Sequence, residues 1–215
     1  MSDALLHGYF RSSTSFRVRI ALNLKCVAYD QTFRHLRKGE QRAPDYLELN
    51  PQGLLPTLQI DGQTLTQSLA IIEYLEETRP EPALLPKDVV GRARVRSLAY
   101  ALALEIHPIN NLRVLEDLKT RFGADDEAAA GWFRHWVDLT FGPLETRLAN
   151  EPQTGKFCHG DTPTLADLCL VPQVINNIRF KVDMAPYPTI SRINAACLEL
   201  DAFKKALPAN QPDAE

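Results

Sequence analysis

Three prolines fall within eight residues at Arg79-Pro80-Glu81-Pro82-Ala83-Leu84-Leu85-Pro86. Proline fixes φ and has no amide to donate, so neither a helix interior nor a central strand can run through such a stretch. It reads as an extended linker, and it forces the chain to fold as two pieces. The expected organisation is a mixed α/β domain over residues 1–80, a linker over 81–87 and an all-α domain over 88–215. A chain of 215 residues has room for two small domains of this kind.

Ahead of the linker the elements are short and mixed. Leu5 to Phe10 is a short apolar strand, and Ser12-Ser13-Thr14 opens a helix that carries Phe16, Val18, Ile20, Ala21 and Leu24. Val27 to Phe33 alternates like a strand. Arg34 to Asn50 is polar and holds a short helix. Leu55 to Ile60 and Thr64 to Gln67 are strands joined by the hairpin signal Asp61-Gly62. Ser68 is expected to cap the helix that follows. The order β-α-β-α-β-β-α fits a mixed four-stranded sheet with helices on its faces.

After the linker, one long helix is expected over 88–120, kinked or divided at Pro108. Others follow at about 126–149, from the capping box Thr164-Leu165-Ala166-Asp167, and near 188–200 and 201–206. Trp132 and Trp136 are one turn apart and read as packing residues. The tail from Pro208 to Glu215 is expected to fray.

Composition excludes several classes. Hydrophobic residues make up 45% and the net charge is only −3, so the chain is not a disordered one. Neither part is basic, which argues against nucleic acid as a partner. No apolar run approaches the length of a membrane helix, and the first residues lack the pattern of a secretory signal, so the expected location is the cytoplasm. Cys26, Cys158, Cys169 and Cys197 have no paired spacing and are expected to be reduced core residues. Cys26, at the far end of the first helix, is not a candidate nucleophile. No His, Cys, Asp or Glu cluster has metal-ligand spacing, so no metal is expected.

Three local features bear on chemistry. Hydroxyls crowd the first helix mouth beside Arg11, at Ser12, Ser13, Thr14 and Ser15. One would suffice as a cap, and the free amides there also favour an anion. Leu55-Pro56 opens a strand; from the residues alone trans is the favoured isomer, because cis is the minority form. Gln67-Ser68 sits where a strand gives way to a helix, and serves either as a cap or as a carboxylate site.

Taken together, these features resemble the glutathione transferase superfamily along nearly the whole chain. The run Ser12-Ser13-Thr14-Ser15-Phe16-Arg17-Val18-Arg19-Ile20-Ala21-Leu22 is similar to the signature of the zeta class, the maleylacetoacetate and maleylpyruvate isomerases. Asn50-Pro51-Gln52-Gly53-Leu54-Leu55-Pro56-Thr57-Leu58 resembles its cis-proline block. Gln67-Ser68-Leu69-Ala70-Ile71-Ile72-Glu73-Tyr74-Leu75 resembles its γ-glutamyl site. The family's signature cysteine is Thr14 here, as in some maleylpyruvate isomerases.

The resemblance implies a thioredoxin-like N-terminal domain, an all-α C-terminal domain, glutathione as cofactor and a two-fold homodimer. It implies that Ser12 and Thr14 face the glutathione sulfur and stabilise its anion. Leu55, before a cis Pro56, would pair with the cysteinyl backbone. Gln67 and Ser68 would hold the γ-glutamyl end, with Gln41, His107 and Asn111 as further contacts. Gln41 also reads as a plain surface glutamine, and His107 as an ordinary helix-face histidine. The implied reaction is conjugate addition of the thiolate to a cis double bond, rotation, and elimination to the trans isomer. A small dicarboxylate keto acid would need cations for its carboxylates and for developing enolate charge. Arg11 and Arg179 fill that role, with Arg113 as a third.

The same thiolate also performs substitution, so a transferase that conjugates or dehalogenates small electrophilic acids is the alternative. A non-catalytic glutathione-fold binding protein is a second. Thr14, His107 and Arg179 lean towards maleylpyruvate over maleylacetoacetate, and the sequence leaves that choice open.

Overall fold

Four short segments build the sheet of the first unit in the computed structural model, which describes residues 4–215. The strands are β1 (Ala4–Gly8), β2 (Asp30–Phe33), β3 (Thr57–Ile60) and β4 (Gln63–Thr66), in the order β2-β1-β3-β4. β1 runs parallel to β2 and antiparallel to β3, and β3 antiparallel to β4. Helices α1 (Ser13–Leu24), α2 (Pro44–Leu49) and α3 (Ser68–Thr78) connect and cover them. This is the mixed sheet the element order predicts. Asp61 (φ 52°) and Gly62 (φ 71°) both take positive φ, the type I′ geometry that suits a two-residue hairpin. Leu6, Ile20, Leu22, Leu58 and Ile71 are fully buried in its core.

Strand register decides where the chemistry gathers. His7 lies opposite Thr57, and Thr57 opposite Thr66. The end of β1, the start of β3 and the end of β4 therefore share one sheet edge. The residues just beyond those ends are the mouth of α1, Leu55-Pro56 and the mouth of α3.

β2 begins three residues later than the alternation suggests. The amide of Val27 donates instead to Leu22 O (2.9 Å), and Cys26 takes φ 53° to make that helix ending possible. Cys26 is exposed while the other three cysteines are buried, so it is not the core residue expected. All four are free thiols.

The second unit spans Leu85–Cys197, while the first runs to Leu84 and takes in Leu198–Glu215. The expectation that the helical domain continues to residue 215 is corrected accordingly. Helix α9 (Asp201–Ala206) packs on α1, with Phe203 and Ala206 fully buried. The Arg19 guanidinium donates to Ala206 O (3.1 Å), and Asn23 donates to Ala202 O (2.9 Å). The tail does not fray: Gln211 is buried, and its amide donates to Lys205 O (2.8 Å) and Leu207 O (2.9 Å).

The proline-rich stretch is also held within the first unit. Lys25, at the end of α1, donates to Glu76 Oε2 (2.6 Å), Pro82 O (2.7 Å) and Pro80 O (3.3 Å). The same Glu76 oxygen accepts the Leu84 amide at 2.9 Å.

In the second unit α4 (Val89–Tyr100) continues as a π-helix over Ala101–Ile106. Pro108 then divides it from α5 (Leu112–Phe122), which Asn111 caps by accepting the Arg113 amide (3.2 Å). The long α6 (Asp126–Asn150), α7 (Leu165–Arg179) and α8 (Pro188–Leu198) complete it. Trp132 and Trp136 pack edge to face, and Trp132 donates its indole N–H to Ile109 O (3.0 Å). At the start of α7 the predicted capping box is present. The fully buried Asp167 carboxylate accepts from the amides of Thr164 (2.8 Å) and Cys158 (2.9 Å) and from the Thr164 hydroxyl (2.9 Å). Burial pushes its pKa up, and these donors pull the other way. Among the described residues no helix is long and apolar enough to cross a membrane.

Candidate functional site

The mouth of α1 is capped by Ser12, whose Oγ accepts the Ser15 amide at 3.1 Å. The amides of Ser13 and Thr14 have no carbonyl one turn back to bond to. No acidic side chain occupies the first turn, so nothing built into the helix competes for its positive end.

The hydroxyls are ordered by simple proton accounting. Thr14 Oγ1 lies 2.9 Å from Leu55 O, and a carbonyl can only accept. Thr14 therefore spends its one proton on Leu55. Ser12 Oγ lies 2.9 Å from Thr14 Oγ1, so Ser12 must be the donor of that bond. The result is a directed chain, Ser12 to Thr14 to the Leu55 carbonyl.

A second relay supports the neighbouring carbonyl. Tyr46 Oη donates to Leu54 O (2.7 Å), so the Thr57 hydroxyl, 2.8 Å away, donates to Tyr46. Asn50 adds a bond to Leu54 O at 2.8 Å. Tyr46, Asn50 and Thr57 are buried, and burial raises the Tyr46 phenol above its ordinary range. Both relays hold the backbone just before Pro56, whose bond to Leu55 is cis. The trans form favoured by the residues alone is thus corrected. Gly53, at φ 60°, makes the turn into this segment; a Cβ there would stand 3.1 Å from Gln41 O.

At the third corner Gln67 is the N-cap of α3, and Ser68 is its first helical residue, which corrects the expected cap. Gln67 takes φ 68°, an uncommon conformation for a side-chain-bearing residue and one that clusters at functional sites. Its amide side chain donates to Gln52 (2.8 Å) and leaves the helix mouth uncapped. Ser68 Oγ is buried and accepts from Arg17 of α1 at 3.5 Å. Again no acidic residue lies in the first turn.

Arg11 sits beside these groups in the chain, its guanidinium 4.7 Å from the Phe10 ring centroid. Gln41 lies in a 3₁₀ turn, Glu40–Arg42; its Oε1 is buried and has no hydrogen-bond partner among the described residues. Ser12, Thr14, Leu55 and Pro56 are thus brought together, with Gln67 and Ser68 at the same sheet edge.

The remaining candidates belong to the second unit. Asn111 Nδ2 lies 3.5 Å from His107 Nε2, so these two meet between the π-helix and α5. Arg113 is exposed, the second residue of α5. Arg179 ends α7, with its guanidinium 5.0 Å from the centroid of the Phe180 ring.

Sequence reasoning missed the support beneath the site, namely Tyr46, Asn50, Thr57, Arg17 and Arg19. Asn50 and Thr57 lie in the family-like run 50–58, and Arg17 and Arg19 in the run 12–22, and that was the available signal. Arg19 is buried against Tyr9 O (3.4 Å) and Phe10 O (3.1 Å), and burial lowers its pKa to about 10, which leaves it charged at neutral pH.

Comparison with known proteins shows the family. Residues 11–78 match the family model of the glutathione S-transferase N-terminal domain. The maleylpyruvate isomerase of Ralstonia sp is 52% identical over 208 residues, 97% of this chain and 98% of that protein. A holo structure of maleyl pyruvate isomerase, a bacterial zeta-class glutathione-S-transferase, superposes with a TM-score of 0.97 at 52% identity, covering 98% of this chain and all of that one. Maleylacetoacetate isomerase from Methylobacterium extorquens AM1, solved with bound malonate and GSH, gives a TM-score of 0.95 at 46% identity, covering 98% and 99%.

Proposed function

The chain belongs to the zeta class of the glutathione S-transferases, with the maleylpyruvate and maleylacetoacetate isomerases, and from that membership we infer its reaction: glutathione-dependent cis–trans isomerisation of a maleyl keto acid to the fumaryl isomer. The observation that carries the reading is the hydroxyl chain Ser12–Thr14–Leu55 O at an α1 mouth free of acidic side chains.

Glutathione is the cofactor, in keeping with the relative that binds it. The residues present fit a tripeptide of that chemistry. Two helix mouths offer uncontested amides, the backbone at Leu55 stands at the sheet edge, and Gln41 Oε1 is a buried acceptor still lacking a donor. In our assignment Ser12 through its hydroxyl and Thr14 through its helix-mouth amide hold the sulfur, Leu55 before Pro56 pairs with the cysteinyl backbone, and Gln67 and Ser68 take the γ-glutamyl end. Gln41, His107 and Asn111 are further contacts. When bound, glutathione supplies a sulfur nucleophile that adds reversibly to the maleyl double bond and so allows rotation.

The protein's own part follows from the proton accounting. Ser12 is the hydroxyl with a movable proton. Rotation about its Cβ–Oγ bond turns that proton from Thr14 to an anion at the helix mouth, while the Ser15 amide still holds the oxygen. Thr14 is fixed by its bond to Leu55. Stabilising the thiolate over the thiol raises the fraction of reactive anion at neutral pH. Arg11 holds a substrate carboxylate and offsets charge that develops beside it, with Arg179 and Arg113 proposed for the other end of the dianion.

Maleylpyruvate is our preferred substrate, supported by threonine at position 14 and by the identity to the Ralstonia enzyme. An absorbance assay with maleylpyruvate and maleylacetoacetate, each with and without glutathione, tests this. Turnover is expected only with glutathione, whose concentration stays constant. Stoichiometric consumption of glutathione, or failure on both acids, would reject the isomerase reading.

A cytoplasmic homodimer completes the proposal. Sedimentation is expected to give about twice the chain mass of 24.2 kDa, and a monomer at assay concentration would remove that part.

A further inference from the structure

The turn that carries Arg11 and Ser12 is held by two charges of opposite sign, the fully buried Arg19 and the half-buried Asp213. Arg19, from α1, donates to Tyr9 O and Phe10 O. Asp213, from the far end of the chain, accepts the Phe10 amide on Oδ2 at 2.9 Å. The Ser12 amide also bonds to Tyr9 O, at 3.0 Å. Three successive polar groups of the turn, Tyr9 O, Phe10 N and Phe10 O, are therefore tied down immediately ahead of the reactive hydroxyl. Two residues before Asp213, Gln211 is buried and anchored to Lys205 O and Leu207 O.

The choice of group is informative. A neutral carbonyl would satisfy one amide, yet an aspartate is used, and its second oxygen is buried without a hydrogen-bond partner among the described residues. Leaving such an oxygen desolvated is costly. A charge-assisted bond is shorter and stiffer than a neutral one. Phe10 is also the residue whose ring underlies the Arg11 guanidinium, so fixing Phe10 fixes Arg11 as well.

We propose that Asp213 is a positioning residue for the isomerase: it acts through the Phe10 amide to set Arg11 and Ser12 for thiolate and carboxylate binding. The proposal rests on the thiolate reading of the α1 mouth, and touches neither substrate nor cofactor itself.

The test uses full-length protein with Asp213→Ala and Asp213→Asn. Two readouts are followed: the pH titration of the thiol of bound glutathione by its thiolate absorbance, and kcat on the maleyl acid. Both are normalised to folded protein. Asp213→Ala is expected to raise the bound thiol pKa by about one unit and to lower kcat about tenfold. Asp213→Asn, which keeps an oxygen for the Phe10 amide, should fall between it and the parent. An Ala variant with the parental thiol pKa overturns the proposal, even if its activity falls along with its folded fraction. So does an Asn variant as impaired as Ala, because charge alone would then be at work. Should Asp213→Ala not fold, Asp213→Glu displaces the acceptor by one methylene and must still raise the thiol pKa; parental behaviour there overturns the proposal equally. The titration needs no maleyl acid, so an unmodified protein that binds glutathione but isomerises nothing would sink the isomerase reading and leave this test standing.

Discussion

Replacing Ser12 and Thr14 together by alanine is expected to lower kcat/KM by about 10²–10³-fold, the scale of losing a preorganised donor to a reactive anion. The two single variants should differ. Ser12→Ala removes the only proton in the relay that can turn towards the helix mouth, so it should account for most of the loss. Thr14→Ala frees the Leu55 carbonyl and leaves Ser12 without its resting acceptor, a smaller effect that falls partly on glutathione affinity. Ser12 is also the N-cap of α1, and losing a cap costs about 1 kcal/mol of stability. Melting curves must therefore accompany the kinetics. A folded double variant that turns over within a few-fold of the parent would rule out the assigned thiolate site.

Asp167→Ala is expected to destabilise the second unit by about 3–5 kcal/mol, because several buried donors lose their acceptor at once. The amides of Cys158 and Thr164 and the Thr164 hydroxyl all point at this carboxylate. The Cys197 thiol also lies against it, at 3.9 Å. Asp167→Asn keeps the shape and one acceptor and should lose less. Urea unfolding followed by circular dichroism gives the number. A loss below about 1 kcal/mol would mean that the start of α7 is held by its apolar packing and not by its cap.

Where sequence reading succeeded, the signal was local. Thr164 and Asp167 are three residues apart, and their box forms within a single helical turn. Asp61-Gly62 declares its hairpin through the dihedrals those residues tolerate. The failures share the opposite property. Little near Pro208 says that the tail is ordered, because part of what orders it, the Phe10 amide that Asp213 accepts, lies some two hundred residues earlier. Nothing at Tyr46 says that its phenol holds Leu54, because Asn50 and Thr57 must come together first. The site lies between these extremes. Its hydroxyls and its proline are plain in the chain, but the direction of the proton relay needs the distance from Thr14 to a carbonyl 41 residues away. Ser68 shows how a shift of one position changes a role: an apparent cap becomes a buried hydroxyl bonded to Arg17.

The clasp that Lys25 and Glu76 make on the proline run bears on how such proteins can be recombined. A seam drawn through Pro80 to Pro86 looks like a natural place to splice the front of one homologue to the back of another. Here its carbonyls and the Leu84 amide are already spoken for by the end of α1 and by α3. A chimera whose new joint does not offer Lys25 these carbonyls and Glu76 this amide would leave the buried pair short of hydrogen bonds at the graft. The unit of exchange therefore reaches back to the first helix.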